Sequence, residues 1–582
     1  MPQFAYLEKE AEEMTAKADR TLKNAKVYSV TLDDQVIRAD AVGISDGKII
    51  FVGSNQDAEA YIGEDTVVTD CEGKSVLPGF GDAHMHFAWS AKKYAVADVA
   101  NIVDKKKDTP DDVIEKIQGV LKDYAEEHKN YAVIQGIGWD RFWFLGALQG
   151  ITRPFTRHDL DAAVPDRPVV MLSYCGHVMV LNTKAIEAAG LSADTPEPDN
   201  GIIRREADGY PDGYIQEPDL MTRIMAAIPG YAFTKEQNME AMLKCQEAFF
   251  QNGTTLGADL LGDEENYTYI KEMAEEGILK VRMNGVHTVY NDDWEEDYAK
   301  ENAEWGKYNV EDVFKVDTIK YFVDGTPAML VPYTEEFCKE SGMPAEYKGD
   351  FLWDYDNLMK SMETVRKDGH NIHVHAMGDY GAQATIDCMI NAQKYNDGRD
   401  LRDAIAHCSF VTPEDRKRMG EHNIIGSIQP YWMSGCLEAT PEYLLMLGLE
   451  RAKEAFLCKS YMDAGVRCAF GSDFPVTPIN PFQGMQIAIT RRETPLDPNY
   501  EIAKDATCYN PEDCITLQQA IQAFTINTAY QWHLEDVTGS IEVGKSADLV
   551  LIDHDIEATP VEELYTIKVL ETVLRGETVY KA

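Results

Sequence analysis

Six residues spread along this chain have the side-chain chemistry of a metal site. They are four histidines, one lysine and one aspartate: His84, His86, Lys320, His375, His407 and Asp473. Neutral imidazoles and carboxylates bind zinc, and they also suit iron, nickel and manganese. Each of the six closes a short apolar segment and precedes a loop, as catalytic groups do at the strand ends of a (β/α)₈ barrel. The pattern therefore predicts a metal-dependent enzyme.

The clearest single motif is the His-x-His pair of His84 and His86, at the end of the apolar run VLPGFGDAHMHF. Side chains alternate across a strand, so both rings would point to the same side. An isolated pair of this kind is more often a pair of ordinary polar residues than a metal site. The preceding Leu-Pro-Gly-Phe and the neighbouring Asp82 favour the metal interpretation.

The remaining candidates have ordinary explanations when each is taken alone. Lys320 could extend its amine to solvent or pair with an acid, as lysines in apolar strands usually do. His407 could be a core histidine, and Asp473 could cap a following helix. In HVHAMGD, His373 and His375 lie on the same face of a regular strand, so alternation does not select the ligand.

The sequence pattern around these residues predicts an α/β fold. Between residues 77 and 536, strand-like runs alternate with helical stretches, which predicts a (β/α)₈ TIM barrel. The predicted strand ends are, in order, FGDAHMHF, GTTLGADL, KVRMNGVHTV, VDTIKYFVDG, NIHVHAMGD, AIAHCSF, IIGSIQP and RCAFGSDFPV. The 32 residues between His375 and His407 fit one βα unit, and the 66 between His407 and Asp473 fit two.

Strands 1 and 2 are much further apart than the others, which predicts a large insertion after strand 1. We place it at residues 90–245 and expect an inserted subdomain over the barrel mouth. Residues 1–76 and 537–582 carry alternating apolar residues and Asp-Gly or Gly turns, so the two chain ends are predicted to form one small β-sandwich.

Two motifs of other enzyme classes are rejected on their context. GSIEVGKS at 539–546 fits a phosphate-binding loop, but the strand-like SADLVLID follows where a helix is required. GISDG at 43–47 fits a hydrolase nucleophile elbow, but KIIFVG follows, so Asp-Gly is predicted to be a hairpin turn.

Composition limits the partners and the compartment. The 582 residues carry a formal charge of −44, which opposes binding to nucleic acids and to anionic membranes. The 11 cysteines include no C-x-x-C pair, as expected for a reducing compartment. The N-terminus lacks an apolar signal segment, and no run has the length of a membrane helix. A cytoplasmic location is therefore expected.

These motifs together resemble one branch of the amidohydrolase superfamily, the YtcJ-like branch that includes N-substituted formamide deformylase. PGFGDAHMHF resembles its first strand, KYFVDGTPAML its fourth, HVHAMGD its fifth, AHCSF its sixth and GSDFPV its eighth. GIGWD, SYCGHVMVLN and GSIEVGKSADLVLID match outside the site, so the resemblance covers nearly the whole chain.

The resemblance implies two divalent metal ions, with zinc expected and iron, manganese or nickel as alternatives. His84 and His86 would hold the more buried ion, whose shell Asp473 completes. His375 and His407 would hold the second ion. Lys320 would bridge the two after reacting with CO₂ to give a carbamate.

The chemistry that follows is hydrolysis of a non-peptide C–N bond in a small amide, formamide or lactam. A hydroxide between two cations is nucleophilic at neutral pH, and Asp473 would act as general base and then as general acid. His177 is a second candidate catalytic residue, as a donor to substrate, with a structural hydrogen bond as its alternative. Trp139 and Trp143 are candidate pocket walls or packing residues.

Two other interpretations remain. A mononuclear deaminase on the same barrel would need a glutamate near strand 5, and none follows HVHAMGD closely. A non-catalytic binding or regulatory protein would usually have lost ligands, whereas all six candidates are present. Substrate identity and oligomeric state, a homodimer included, are left open.

Overall fold

In the computed structural model, eight parallel strands form one sheet in which each strand pairs with the next along the chain. The backbone N–H of Ala83 donates to Phe470 O (2.9 Å), which joins the first strand to the last. Barrel strands 1 to 8 are Phe80–Gly81, Thr254–Asp259, Arg282–Thr288, Phe314–Phe322, Asn371–Ala376, Asp403–His407, Ile425–Ile428 and Cys468–Phe470. They overlap the eight predicted runs, and the predicted α/β fold class is confirmed.

The structure describes the following residues: 17–100, 102–103, 107–144, 153–173, 178–198, 201–291, 293–325, 327–340, 343–497 and 500–582. The chain divides into two compact units. One consists of the residues up to Trp89 together with Gln246–Ala582, and the other is Ser90–Cys245.

Barrel strands are buried on both faces, as expected when helices cover a parallel sheet. All six residues of Thr254–Asp259 and all four of Ile425–Ile428 are buried. The helix Tyr355–Asp368 shows how local sequence sets the boundaries: Asp354 accepts a hydrogen bond from Asn357 N, and Gly369 ends the helix at φ 94°.

The helices of the unit that contains the barrel lie between and after the barrel strands. They are Phe87–Ala91, Glu264–Glu275, Trp294–Ala303, Glu335–Glu340, Tyr355–Asp368, Asp379–Gln393, Pro413–Glu421, Pro441–Leu447, Leu449–Ala452, Lys459–Asp463, Pro481–Thr490, Tyr500–Ala503, Leu517–Phe524 and Ile526–Gln531. Lys235–Gln251 spans the limit between the two units.

The two chain ends form two sheets with a shared core, as predicted. A four-stranded sheet contains Arg20–Lys23, Ala41–Ser45, Lys48–Gly53 and Val67–Asp70, with the short helix Asn55–Ala58 beside it. A six-stranded sheet contains Lys26–Val30, Val36–Ala39, Ser75–Pro78, Leu549–Ile552, Val569–Leu574 and Glu577–Lys581. Strands from opposite ends pair directly, Leu549 with Pro78. Both rejected motifs lead into strands, Lys48–Gly53 and Leu549–Ile552.

The insertion has a six-stranded sheet of its own. Its strands, in spatial order, are Ile202–Arg205, Pro211–Gln216, Val178–Leu181, Val169–Ser173, Ile134–Trp139 and Ala97–Asp98. Its helices are Pro110–Glu127, Arg157–Asp161, Thr183–Ala188 and Pro218–Ala227. Trp139 is 1% exposed and donates to Met171 O (3.0 Å), and Trp143 packs against the same core, so both are packing residues.

None of the helices described is both long enough and apolar enough to cross a lipid bilayer.

Candidate metal centre

The C-terminal ends of barrel strands 1 and 8 are tied together by their backbones. Asp473 N donates to His84 O (2.7 Å), and His86 N donates to Phe474 O (3.0 Å). The two chain segments approach so closely at Gly471 that a Cβ there would lie 2.5 Å from His84 N. Glycine is therefore required at this position, and the approach brings residues almost 400 positions apart into one site.

Asp82 also holds the ends of barrel strands 1 and 8 together. Its carboxylate accepts hydrogen bonds from Ser472 N (2.9 Å), Ser472 Oγ (2.5 Å) and His84 N (3.3 Å). Burial raises the pKa of Asp82 to about 7, while the hydrogen bonds from Ser472 and His84 lower it. Asp82 thus positions the strand ends rather than facing the candidate site.

His84, His86 and Asp473 form a group that could hold a metal ion. Their ligand atoms lie within 4.8 Å of one another, and all three residues are buried. Asp473 Oδ1 is 2.9 Å from His86 Nε2 and 3.4 Å from His84 Nε2. Burial raises the pKa of Asp473, but the close approach of His86 and the positive charge of Lys320 outweigh it, so the net shift is downward.

A second histidine pair continues this group. The rings of His375 and His407 have centroids 4.5 Å apart, and the rings of His407 and His84 have centroids 4.8 Å apart. Burial is the main reason why the pKa values of His84 and His407 are held well below the usual range. Both imidazoles are therefore neutral at neutral pH, which metal ligation requires.

Three of the four candidate histidine ligands have a polar partner at Nδ1. His84 Nδ1 is 3.0 Å from His373 Nε2, and His407 Nδ1 is 2.9 Å from Gln429 Oε1. His375 Nδ1 is 3.2 Å from Asp324 Oδ1, although this contact lacks hydrogen-bond geometry. The two hydrogen bonds fix the ring orientations of His84 and His407 and leave their Nε2 atoms for a metal ion.

The partners of these histidines are themselves held in place. Asp324 is 1% exposed and accepts hydrogen bonds from Met377 N (2.9 Å) and Gly378 N (2.8 Å). Gln429 is fully buried directly after barrel strand 7. His373 stacks on Trp532 with centroids 6.0 Å apart. His373 therefore supports His84, and His375 is the residue of this strand that lies against His407.

Lys320 is buried with its Nζ 4.8 Å from the ring centroid of Phe322. It is 0% exposed, and within the described part of the chain its Nζ has no hydrogen-bond partner. Burial lowers the pKa of Lys320 to about 7, although the charge of Asp473 raises it. A buried amine without a partner is costly, so this position calls for a group that the protein chain does not supply.

The residue types fit a metal centre. Five candidate ligand side chains, four imidazoles and one carboxylate, lie near one another at the distances given above. The charge of Lys320 acts on three of them, His84, His407 and Asp473. His177, the second candidate catalytic residue, lies outside the described residues. Sequence reasoning assigned no role to Gln429 or Asp324. The available signal was their position just beyond a barrel strand, Gln429 one residue after Ile428 and Asp324 two residues after Phe322.

The fold and this cluster together define a barrel enzyme with its candidate centre at the C-terminal ends of the strands. Residues 67–580 match the profile described as Amidohydrolase family, and the chain belongs to that family. The family assignment makes the chain a hydrolase, and it agrees with the resemblance found in the sequence.

Relatives match over nearly the whole length. The chain is 26% identical to a protein of Bacillus subtilis (strain 168) that is named as an amidohydrolase, YtcJ. The alignment covers 95% of this chain and 98% of the other. It is 24% identical to N-substituted formamide deformylase of Arthrobacter pascens, over 98% of this chain and 99% of the other.

A solved structure shares the fold. An uncharacterized metal-dependent hydrolase from Pyrococcus horikoshii OT3 superposes with a TM-score of 0.69 at 21% identity. The superposition covers 93% of this chain and 99% of the other.

Proposed function

We propose that this protein hydrolyses a carbon–nitrogen bond other than a peptide bond, in a small amide, formamide or lactam, with two divalent metal ions as cofactors. The observation that carries the proposal is the convergence of His84, His86 and Asp473 beside the buried, unpartnered amine of Lys320. The relative named N-substituted formamide deformylase supports the choice of bond.

His84, His86 and Asp473 would hold one ion, and His375 and His407 the other. Bound divalent cations lower the pKa of water and polarise a carbonyl oxygen. Zinc is the metal that this donor set suits best, and iron, manganese and nickel accept the same ligands. Hydrogen bonds at Nδ1 of His84 and His407 would hold their Nε2 atoms in position before any ion arrives.

Lys320 would supply the bridging ligand as a carbamate. Its pKa of about 7 leaves much of the amine neutral at neutral pH, and only a neutral amine can attack CO₂. A bond forms between Nζ and the carbon of CO₂, and the nitrogen releases one proton. The product is an anion with two oxygen atoms in a position where the ammonium had no partner.

Asp473 would act as the general base and then as the general acid of the reaction. It takes a proton from the attacking water as the carbonyl carbon becomes tetrahedral, and passes it to the leaving nitrogen as the C–N bond breaks. The lowered pKa of Asp473 would keep the carboxylate unprotonated between turnovers. His177 remains a proposed second donor to the substrate.

Metal analysis combined with a substrate screen tests this proposal. Protein loaded with zinc, manganese or iron is assayed on N-formyl, N-acyl and cyclic amides, and its metal content is measured after gel filtration. Two ions per chain together with C–N hydrolysis is the expected result. One ion per chain would instead favour a mononuclear deaminase, and no retained ion with no turnover would favour a binding or regulatory protein.

A further inference from the structure

Two cysteines meet outside the candidate metal centre. Cys436 lies in the loop after barrel strand 7, beyond the short helical turn Pro430–Trp432. Cys508 lies between the helix Tyr500–Ala503 and the turn Pro511–Asp513. Both belong to one small apolar cluster, so two segments far apart in sequence are packed together at these thiols.

The backbones next to the two cysteines are bonded. Tyr509 N donates to Gly435 O (2.8 Å), and Gly435 N donates to Arg491 O (2.8 Å). A Cβ on Gly435 would lie 2.5 Å from Tyr509 O and 3.0 Å from Cys508 Sγ. This close approach needs glycine, and it places Cys436 directly beside Cys508. The Cys508 thiol donates to Arg491 O (3.3 Å), so it lies on the same side as the backbone that carries Gly435 and Cys436.

The two thiols have different environments. The neighbouring Cys436 thiol, together with the charges of Arg492 and Arg491, lowers the pKa of Cys508 despite its partial burial. The neighbouring Cys508 thiol and burial raise the pKa of Cys436, which is only 1% exposed. Cys508 is half-buried. Cys508 thus has the features of an attacking thiolate and Cys436 those of the thiol that resolves a mixed disulfide.

Other described cysteines provide the contrast. Cys458 and Cys468 also form a neighbouring pair, but each is 1% exposed, so a reagent in solution cannot reach them. Cys514 is half-buried like Cys508, but burial raises its pKa. Among the cysteines whose positions are described, Cys436 and Cys508 combine close approach with access.

We propose that Cys436 and Cys508 form a reversible disulfide by exchange with a low-molecular-weight disulfide. The Cys508 thiolate attacks one sulfur of the reagent, forms a mixed disulfide and displaces one thiolate. Cys436, having lost its proton to solvent, then attacks the Cys508 sulfur and displaces the second thiolate. Two protein thiols are oxidised to one disulfide, and the reagent is reduced to two thiols.

The crosslink would act on the loop that supports the candidate centre. The same loop contains Gln429, which contacts His407 Nδ1, and Trp432, whose ring centroid is 5.5 Å from that of His407. A disulfide at Cys436 would restrain this loop against the segment around Cys508. The site of modification stands on the two thiols alone and does not depend on the proposed hydrolysis.

The test uses the full-length protein, with oxidised glutathione as the probe. After exposure the free thiols are blocked, and the protein is digested and mapped by mass spectrometry without reduction. Wild-type protein should yield one crosslinked peptide pair joining Cys436 to Cys508, lighter by two hydrogens, and dithiothreitol should reverse it. Cys508 should react at least about tenfold faster than Cys514.

Matched variants distinguish the steps. Cys436→Ser should retain glutathione on Cys508, Cys508→Ser should form neither product, and Cys514→Ser should behave as wild type. The proposal is overturned if wild-type Cys508 keeps glutathione without forming the crosslink, or if Cys508 and Cys514 react equally fast. Because both of these measurements are made on the wild-type protein, a variant that folds poorly does not weaken the test.

Discussion

Two buried cations on neighbouring barrel strands have opposite surroundings. Arg282 begins barrel strand 3 and is 1% exposed, and Lys320 lies near the C-terminal end of strand 4 and is 0% exposed. Every nitrogen of the Arg282 guanidinium has a partner: Nη1 bonds to Asp548, Nη2 donates to Ser546 Oγ (3.1 Å) and Nε donates to Asp312 Oδ2 (3.1 Å).

The Asp548 carboxylate likewise has several hydrogen-bond donors. It also accepts hydrogen bonds from Thr538 Oγ1 (2.7 Å) and Arg575 N (2.8 Å). Arg282, near the N-terminal end of the barrel, is therefore compensated within the chain, whereas Lys320, near the C-terminal end, has no hydrogen-bond partner among the described residues. This is the expected division between stability and function in such barrels.

The largest effect should come from Asp473→Asn at the C-terminal end. Asparagine keeps a ligand oxygen but cannot take or give the proton, so turnover should fall by up to about 10⁴-fold. Metal content should stay close to that of wild type. Steady-state kinetics and metal analysis check this, with Asp312→Asn at the opposite end as control. Undiminished turnover in Asp473→Asn would remove Asp473 as the base.

Lys320→Ala should reduce turnover by about a thousandfold, since the bridging anion that holds the metal pair is lost. Short carboxylic acids with bicarbonate should restore part of the activity, because they can occupy the vacated position. Lys315→Ala, on the same strand but half-buried near its start, is the control. Full rate and full metal content in Lys320→Ala would show that Lys320 is not the bridge.

Asp548→Ala should destabilise the fold without affecting the chemistry of the folded protein. It leaves Arg282 buried with fewer partners, which typically costs about 3–5 kcal/mol. The denaturation midpoint should fall while metal content per folded chain is unchanged. Glu557→Gln, which breaks the exposed pair with Arg38, should leave the midpoint almost unaltered. If Asp548→Ala unfolds no earlier than this control, the contrast between the two ends does not hold.

The smallest effect is expected from Gln429→Leu. Leucine fills a similar volume but removes the acceptor at His407 Nδ1, so metal affinity should fall by about 10–100-fold. Competition with a chelator measures this. Gln393→Leu is a matched control, because Gln393 Oε1 contacts Nδ1 of His422 (3.0 Å), which is not a candidate ligand. Equal affinities in the two variants would argue against a positioning role for Gln429.

The sequence was most informative where the local pattern and the chemistry agree. Barrel strand 8 was predicted because an apolar run ends in Gly-Ser-Asp, and the strand Cys468–Phe470 lies there. Both motifs of other enzyme classes were rightly rejected, because a following strand is visible in local alternation. His373 and His375 could not be distinguished by alternation, since residues two apart on a strand share a face.

By itself, the sequence indicated the barrel, its insertion and the sandwich of both chain ends, which depend on periodicity, residue type and spacing, all of which are local. The resemblance to a family, rather than the periodicity, selected the candidate ligand residues. Only the tertiary structure decided that His373 contacts His84, that Gln429 and Asp324 lie at Nδ1 of the other rings, and that Cys436 meets Cys508. Such contacts join strands and loops that are distant in the chain, and their geometry arises only when the barrel closes.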